Sequence, residues 1–485
     1  MQELSDKSLL KQQSFINGQW CASHSVFDVL NPANNQVIAR VSDATVSDAK
    51  RAVEAAKQAL PEWSAMSANV RANLLRKWFD LIMENQDDLG VILTLEQGKP
   101  LAEAKGEVAY GASYIEWFAE ECKRIYGDVI APPSQDKRIV VIKQPVGVVA
   151  AITPWNFPNA MITRKAAAAL AAGCTFVVRP ATLTPLSALA LAELAQRSGI
   201  PAGVFNVVVG KDAAGIGKVL TQDPNVSKFT FTGSTEVGKT LIRQCASTVK
   251  KVSMELGGNA PFIVFDDADI DAAIQGAIAA KYRNAGQTCV CANRILVDRK
   301  VLASFTQKFV KEVKKLKVGN GMDASVSIGP MINKGAVNDT QALVDKSVEQ
   351  GATVELSGGP AKGDSSFYYP VVLSNVSNDM AIAKNEIFGP VAPIIPFETE
   401  QEAIAIANST EYGLAAYFYA RDIGRIWRVA EQLDFGMVGI NEGIISNAAA
   451  PFGGVKQSGN GREGSKYGLD DYLEIKYLCM GGLGK

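Results

Sequence analysis

From residue 145 onward, short apolar runs alternate with single helical patterns. Residues 146–152 form the first apolar run, and residues 159–173 give an Ala-rich helical pattern. The strands predicted after them are 175–178, 204–209, 228–232 and 251–255, and the helices predicted between them are 185–197, 213–221 and 235–246. Short apolar strands joined by single helices predict right-handed crossovers and a parallel sheet covered on both faces. Such a sheet binds nucleotides beyond the carboxyl ends of its strands.

A second alternation of strands and helices runs from residue 260 to about residue 452. It opens with a predicted strand at 260–265, a helix at 270–285 and a strand at 294–297. This pattern indicates a second α/β domain. Upstream, residues 43–122 are mainly amphipathic helix, which we expect to pack on the first sheet.

Two strand-like segments, 137–143 and 472–478, fit neither domain. Apolar strands outside a domain are typical of sheets that pair between subunits, so we expect a homo-oligomer. The sequence therefore predicts an α/β protein in three parts. These are a Rossmann-like parallel-sheet cofactor domain (1–124 and 145–256), a second α/β domain with the catalytic cysteine (257–455) and a small β oligomerisation element (125–144 and 456–485).

Composition narrows the class of protein. The chain has 49 Lys and Arg against 50 Asp and Glu, so no charge excess favours nucleic acid or an anionic membrane. No secretion signal or membrane-spanning run is visible, and seven scattered cysteines favour a reducing compartment, so we expect a soluble cytoplasmic protein. The sole histidine is His24, so we expect no metal site built on imidazoles, and another group must act as a catalytic base.

The segment 284–291 places Cys289 in a polar turn that contains a glycine. A single cysteine is more often a small buried apolar residue. Here the polar surroundings and neighbouring N–H donors favour a stabilised thiolate and an oxyanion site. Cys291, two residues on, is better explained by packing or redox sensing than by catalysis.

Three further sites are candidates for chemistry. Glu255 ends a predicted strand before two glycines and is a candidate to activate water, although a Glu there is usually a solvated rim residue. Asn156 follows the first strand of the sheet, where its amide could donate to a developing oxyanion. The loop from Gly233 to Gly238 lies between a strand and a helix, where backbone N–H groups can face a pyrophosphate, but this spacing alone is a weak signal.

Taken together, these motifs resemble the aldehyde dehydrogenase superfamily over nearly the whole chain. The motifs are Pro154-Trp-Asn-Phe-Pro158, Phe231-Thr-Gly-Ser234, Glu255-Leu-Gly-Gly258, Gly286-Gln-Thr-Cys289, Glu386-Ile-Phe-Gly-Pro390 and Pro451-Phe-Gly-Gly454. A closer likeness, to bacterial succinate-semialdehyde dehydrogenases of the NADP-dependent type, is carried by residues 95–105, 115–121, 284–294 and 461–468. The resemblance implies a cytoplasmic homo-oligomer, either a dimer or a homotetramer, that acts in the degradation of 4-aminobutyrate.

The resemblance assigns Cys289 as nucleophile, Glu255 as general base, and Asn156 with the backbone N–H of Cys289 as the oxyanion site. It implies a thiohemiacetal that yields a thioester, which water then hydrolyses. Relatives that transfer the acyl group to coenzyme A typically lack this glutamate, so its presence favours hydrolysis.

The same resemblance implies a nicotinamide dinucleotide as cofactor. It places the following residues near the dinucleotide: Thr153, Trp155, Arg179, Thr182, Gly233, Ser234, Leu256, Glu386 and Phe388. At Arg179 relatives usually have Lys, and at Thr182 NAD-preferring members often carry Glu. A cation without an opposing carboxylate should accept a 2′-phosphate, so we expect NADP in preference to NAD.

For the substrate, the resemblance matches Arg164, Arg283 and Ser446 to positions that bind the distal carboxylate of succinate semialdehyde. Glu442 stands where relatives commonly have Thr, and its charge would oppose an anionic substrate unless a basic group neutralises it. Glutarate semialdehyde or another ω-oxo acid therefore stays open as the substrate. A redox-independent thioester or ester hydrolase is the alternative of another class, and a reversible disulfide between Cys289 and Cys291 is a further hypothesis.

Overall fold

The computed structural model describes residues 4–363 and 365–483. Residues 1–3, 364 and 484–485, which the three predicted parts include, lie outside the described residues. Within the described ranges, no helix is both long enough and apolar enough to cross a membrane.

The described helices and strands follow in chain order. The α-helices are α1 (Val46–Ala65), α2 (Ala68–Glu84), α3 (Gln86–Gln97), α4 (Leu101–Glu121), α5 (Ala160–Ala172), α6 (Leu186–Ser198), α7 (Ala213–Gln222), α8 (Thr235–Cys245), α9 (Ile270–Tyr282), α10 (Leu302–Val313), α11 (Lys334–Glu349), α12 (Ala381–Lys384), α13 (Glu400–Asn408) and α14 (Ile423–Gln432). The strands are β1 (Ser14–Ile16), β2 (Gln19–Cys21), β3 (Val26–Leu30), β4 (Val37–Ser42), β5 (Asp128–Ile130), β6 (Arg138–Pro145), β7 (Val148–Ile152), β8 (Thr175–Arg179), β9 (Phe205–Val207), β10 (Val226–Thr232), β11 (Lys251–Glu255), β12 (Ala260–Val264), β13 (Ala292–Asp298), β14 (Thr353–Leu356), β15 (Gly359–Pro360), β16 (Tyr368–Tyr369), β17 (Val371–Ser374), β18 (Val391–Phe397), β19 (Ala415–Tyr419), β20 (Met437–Ile440), β21 (Gly459–Asn460) and β22 (Leu473–Met480). Short 3-10 helices lie at Lys7–Leu9, Cys122–Arg124, Ala246–Thr248, Arg283–Gly286, Lys456–Ser458 and Lys466–Tyr472.

The first sheet has the strand order β2-β1-β9-β8-β7-β10-β11-β21. The strands from β9 to β11 are parallel to their neighbours, and the outer strands are antiparallel. Val149 and Val178 belong to a core cluster with α2, α4, α5 and α6, whereas Val148 and Val177 belong to a cluster with α1, α7 and α8. Since successive side chains of a strand point to opposite faces, the sheet is buried on both sides.

The second sheet has the order β14-β17-β18-β13-β12-β19-β20, parallel from β17 to β20 and antiparallel at β14. A third sheet, β22-β6-β5, is antiparallel, with Leu473 opposite Pro145 and Met480 opposite Arg138. Its side chains are unusually open to solvent for apolar residues: Val129 is 83% exposed and Ile475 72%. Two-stranded sheets form between β3 and β4 and between β15 and β16.

The predicted α/β class is confirmed, and the predicted alternation through residues 145–255 matches β7 to β11 and α5 to α8 to within three residues. The helix predicted at 270–285 is too long. It ends at Tyr282 because Asn284 and Ala285 adopt left-handed backbone angles, with φ of 53° and 56°. The C-terminal segment also contributes β21, which pairs with β11 of the first sheet, so we retain only 125–144 and 473–480 as the proposed oligomerisation element.

Candidate active site

Cys289 lies in a turn between the 3-10 helix Arg283–Gly286 and β13. The left-handed angles of Asn284 and Ala285 make this turn a strained one, and such strain is typical of functional sites. A Cβ atom on Gly258 would come within 2.3 Å of the carbonyl oxygen of Cys289, so only glycine permits this approach. The turn therefore presents the thiol beside the end of β11, where the two sheets meet.

Burial raises the pKa of the Cys289 thiol to about 12, and Arg164 and Arg283 lower it only in part. The thiol is therefore protonated at neutral pH in this state. The predicted stabilisation of a thiolate by the polar turn stays a prediction, and in this state burial outweighs the neighbouring positive charges. Deprotonation must accompany the attack on the substrate.

The side chain of Asn156 points toward the same turn. Its Nδ2 donates to the carbonyl oxygen of Gln287 at 3.0 Å, which uses one of the two N–H bonds of the amide. The backbone N–H of Cys289 donates to no other group in the described part of the chain. One amide N–H and one backbone N–H thus remain available for a developing oxyanion.

Glu255 is the last residue of β11, and it is buried with Oε2 lacking a hydrogen-bond partner among the described residues. Burial and the nearby Glu463 raise the pKa of Glu255 well above its usual range. A carboxyl group with a raised pKa can take a proton from water near neutral pH, as a general base must.

Glu463 lies between two cations of α5 at this site. It forms ion pairs with Nε of Arg164 and with Nζ of Lys165, and all three side chains are buried. Burial alone would raise the pKa of Glu463, but Arg164 and Lys165 lower it below its usual range. Glu463 therefore stays ionised, and its negative charge adds to burial in raising the pKa of Glu255.

A cavity of about 260 Å³ opens on one side of Cys289. It brings together these residues that the sequence predicted: Trp155, Asn156, Gly233, Ser234, Glu255, Leu256, Cys289, Glu386 and Phe388. The rings of Trp155 and Phe388 meet edge to face, with centroids 5.6 Å apart. Glu386 accepts the backbone N–H of Gly258 at 3.1 Å, and burial raises the pKa of Glu386 to about 7.

Thr153, Arg179 and Thr182 do not line this cavity. Arg179 is the last residue of β8, which pairs with β7. Its carbonyl oxygen accepts the backbone N–H of Thr153, the residue after β7, at 3.2 Å. Nη2 of Arg179 donates to the carbonyl oxygen of Gly210 at 2.9 Å. These residues therefore lie further along the carboxyl edge of the sheet, where the adenosine end of an extended dinucleotide would lie.

The residues present fit a dinucleotide. Buried Oγ1 atoms of Thr153 and Thr232 and Nε of Arg179 have no hydrogen-bond partner among the described residues, although buried polar atoms are normally paired. Helix α8 begins after Ser234 without a side-chain cap, so its first N–H groups are free to face a pyrophosphate. A polar ligand along this edge would satisfy both sets of atoms.

A second, smaller cavity of about 20 Å³ lies on the other side of Cys289, with room for a single water molecule. It is lined by Tyr110, Phe157, Met161, Arg164, Arg283, Thr288, Cys289, Val290, Ser446 and Phe452. Tyr110 and Ser446 also line a wider surface depression of about 670 Å³. An aldehyde would therefore enter from this depression and displace side chains as it reaches the thiol.

Both arginines that were predicted to bind the substrate carboxylate line this cavity, and they differ in exposure and in ion pairing. Arg164 is 1% exposed, lies over the ring of Phe452 and is ion-paired with Glu463. Arg283 is partly exposed, lies over the ring of Phe157 and has no ion pair or hydrogen bond within the described ranges. Of these two cations, Arg283 is thus the one without an ion pair among the described residues, although Glu103 is close enough to interact with its charge.

Two predicted residues lie beside the site. Oε1 of Glu442 accepts the backbone N–H groups of Gly443 and Ile444 at 2.7 and 2.9 Å, so its charge is held by its own loop and it lines neither cavity. Cys291 is buried, with Sγ 3.4 Å from Nζ of Lys281. A disulfide between Cys291 and Cys289 stays a prediction.

Comparisons with known proteins identify the class. A family model described as the aldehyde dehydrogenase family matches residues 20–478, and the chain belongs to this family. Its relatives include a glutarate-semialdehyde dehydrogenase of Pseudomonas aeruginosa and the NADP(+) succinate-semialdehyde dehydrogenase GabD of Escherichia coli K12; each is 57% identical over 99% of this chain and 100% of the relative. The crystal structure of a succinate-semialdehyde dehydrogenase from Burkholderia pseudomallei matches with a TM-score of 0.97 and 55% identity over 99% of this chain and 100% of that chain. The predicted NAD(P)-dependent aldehyde dehydrogenase is confirmed.

The sequence analysis assigned no role to Glu463, Lys165 or Lys99, all of which are buried at the site. One signal was present. Arg164 and Lys165 interrupt an otherwise apolar helix predicted to be buried, and buried cations require a carboxylate partner. Which carboxylate supplies the partner depends on a contact between residues 298 positions apart, which no local pattern indicates.

Proposed function

We propose that this enzyme oxidises succinate semialdehyde to succinate, with NADP as the preferred cofactor. The observation that carries the proposal is the placement of Cys289 between two cavities. One is lined by Glu255 and by six of the predicted dinucleotide residues, and the other is lined by Arg283, which has no ion pair among the described residues. A redox-independent hydrolase would need Cys289 and Glu255 but not the dinucleotide residues of the first cavity.

The first half of the reaction forms a covalent adduct. Sγ of Cys289 attacks the aldehyde carbon as its proton passes to a neighbouring water molecule, and the available N–H groups of Asn156 and Cys289 stabilise the developing oxyanion. The bound dinucleotide supplies a hydride acceptor at the nicotinamide. The chain's residues hold the adduct in place, and its collapse leaves a thioester on Cys289.

The second half releases the acid. Glu255 lies in the cavity wall beside Cys289 and takes a proton from a water molecule that attacks the thioester. Glu463 forms ion pairs with Arg164 and Lys165, and all three groups affect the pKa of Glu255. These buried charges therefore influence how readily Glu255 gains and loses a proton. The thiol of Cys289 is then regenerated.

The second cavity, of about 20 Å³, is small, and Arg283 in its wall has no ion pair among the described residues. Both features favour a short ω-oxo acid. Succinate semialdehyde is the shorter of the two candidate substrates and displaces fewer side chains. Relatives named for succinate semialdehyde and for glutarate semialdehyde share the same identity to this chain, so glutarate semialdehyde is the second candidate.

We expect Arg283→Ala to raise KM for succinate semialdehyde by about tenfold to a hundredfold, because the substrate carboxylate loses a charge-assisted partner. KM for an uncharged aldehyde of equal length should change by less than about threefold. Arg164→Ala should raise KM for the charged aldehyde as well, but it also removes one of the two cations paired with Glu463 and so lowers kcat for both aldehydes.

Steady-state measurement of KM for succinate semialdehyde and for the uncharged aldehyde checks the role of Arg283. Arg283→Lys is the matched control, because it keeps the charge and removes the planar guanidinium. An equal rise of KM for both aldehydes in Arg283→Ala would refute the carboxylate role.

For the cofactor, we expect kcat/KM with NADP to exceed that with NAD by about tenfold or more, since Arg179 can pair with a 2′-phosphate. Arg179 has no ion pair among the described residues, though the carboxylates of Asp43 and Asp212 are close enough to affect it electrostatically. Arg179→Ala should lower kcat/KM for NADP and leave that for NAD nearly unchanged. A higher kcat/KM with NAD in the unaltered enzyme would contradict the assignment.

We also propose a homo-oligomer, with a tetramer as the expected form, built on β5, β6 and β22. The support is the exposure of apolar side chains on these strands, among them Val129, Ile475 and Tyr477. The cysteines are all free thiols, which agrees with the reducing cytoplasm proposed as the location.

A further inference from the structure

Two buried glutamates cap helices: Glu107 accepts two backbone N–H groups with one oxygen, and Glu96 accepts one with each oxygen. Glu107 accepts the backbone N–H groups of Asn159 and Ala160, at 2.9 and 3.2 Å, where α5 begins. Glu96 accepts those of Leu186 and Ser187, at 2.7 and 2.8 Å, where α6 begins. Both carboxylates satisfy N–H groups that have no acceptor within the helix.

Glu107 differs from Glu96 in having a buried cation as partner. Nζ of Lys99 lies 2.5 Å from Oε2 of Glu107, and the two side chains are 0% and 1% exposed. The same Nζ donates to the carbonyl oxygen of Asn156 at 2.8 Å and lies 3.8 Å from the centroid of the Phe157 ring. Lys99 thus connects the capped end of α5 to the loop that carries the oxyanion amide.

The cysteine turn joins the same set of contacts. Nδ2 of Asn284 donates to the carbonyl oxygen of Asn156 at 3.0 Å and to that of Gln287 at 3.1 Å. Gln287 is also the residue whose carbonyl oxygen holds the amide of Asn156. The carbonyl of Asn156 therefore has two donors, and only the one from Lys99 is charged.

The contribution of a buried ion pair to folding stability is small, because the cost of desolvating the two charges offsets their attraction. An apolar pair of similar volume often stabilises the fold equally well. The distinctive effect of the ion pair is geometric. The cation fixes one carbonyl oxygen at hydrogen-bond distance, and the amide of the same residue faces the thiol turn.

We propose that Lys99 is a positioning residue for the oxidation, which acts through Asn156. Held by Glu107, Lys99 keeps the backbone of Asn156 where its amide can donate to the oxyanion. This inference rests on the role proposed above for Asn156. A shift of about 1 Å in such a group costs up to about a hundredfold in rate.

The test compares Lys99→Met and Glu107→Gln with Glu96→Gln, which weakens a helix cap that lies away from the cysteine turn. We expect Lys99→Met to lower kcat by about tenfold to a hundredfold for charged and uncharged aldehydes alike, with KM changed by less than about threefold. Glu107→Gln, which keeps the shape of the side chain but removes its charge, should also lower kcat. Glu96→Gln should lower Tm less than Glu107→Gln, which also leaves Lys99 without its ion-pair partner, and it should leave kcat within about threefold.

A double-mutant cycle with Asn156→Ala decides whether Lys99 acts through Asn156. In that background Lys99→Met should lower kcat by less than about threefold, because the amide to be positioned is gone. If Lys99→Met lowers kcat by the same factor in both backgrounds, or if all three single variants lower kcat only as far as they lower Tm, the proposal is overturned. If Asn156→Ala alone leaves kcat unchanged, the oxyanion role fails first and the positioning role with it.

Discussion

Cys289→Ser should abolish aldehyde oxidation, with kcat lowered on the order of ten-thousand-fold or more. The hydroxyl is a far weaker nucleophile than the thiol, and the raised pKa of Cys289 shows that this buried site already disfavours an anion. The variant should still bind the dinucleotide, because the cavity wall is otherwise unchanged. Formation of reduced nicotinamide in the presence of succinate semialdehyde is the measurement.

Cys291→Ser is the matched control for this variant. Cys291 lies two residues on, is buried against Lys281 and lines neither cavity, so the substitution should keep kcat within about threefold. Undiminished turnover in Cys289→Ser would remove the basis of the proposed chemistry.

Glu255→Gln should stop the reaction after its first half. The thiol still attacks the aldehyde, but no carboxylate remains to take a proton from water, so kcat should fall about a thousandfold. Rapid mixing should then show a burst of reduced nicotinamide close to one equivalent per active site. In the unaltered enzyme, release of the acid should fall as the pH is lowered, with a midpoint above the usual glutamate pKa, because burial raises the pKa of Glu255.

Glu386→Gln serves as control, since Glu386 is a second buried glutamate of the same cavity. We expect it to raise KM for the dinucleotide without producing a burst. A loss of the burst in Glu255→Gln together with the loss of turnover would show that Glu255 acts before the thioester forms.

Much of the fold follows from local patterns. Strands of the parallel sheet are continuous apolar runs because both faces are buried, and Gly173 and Gly199 end their helices with left-handed angles that glycine readily adopts. The paired strands β1 to β4 were missed, because they are only three to six residues long and just one of them, β1, is buried along its whole length. Strand β21 is two residues long and is defined only by pairing with β11.

Local motifs also predicted part of the candidate site, and the rest depends on the tertiary structure. Motifs within a few residues of one another predicted Cys289, Asn156 and Glu255, and the structure places all three in the wall of one cavity. The protonation of Cys289 and the pairing of Arg164 with Glu463 depend on how deeply those groups are buried and on contacts between distant segments. Neither property is encoded in the spacing of a motif.

The central claim is that the substrate is bound covalently to Cys289 before the acid is released. The most direct measurement is the mass of the Cys289 peptide from Glu255→Gln enzyme quenched in acid after mixing with NADP and succinate semialdehyde. We expect that peptide to carry a succinyl group in an amount equal to the burst of reduced nicotinamide. Formation of reduced nicotinamide with an unmodified Cys289 peptide would contradict the account.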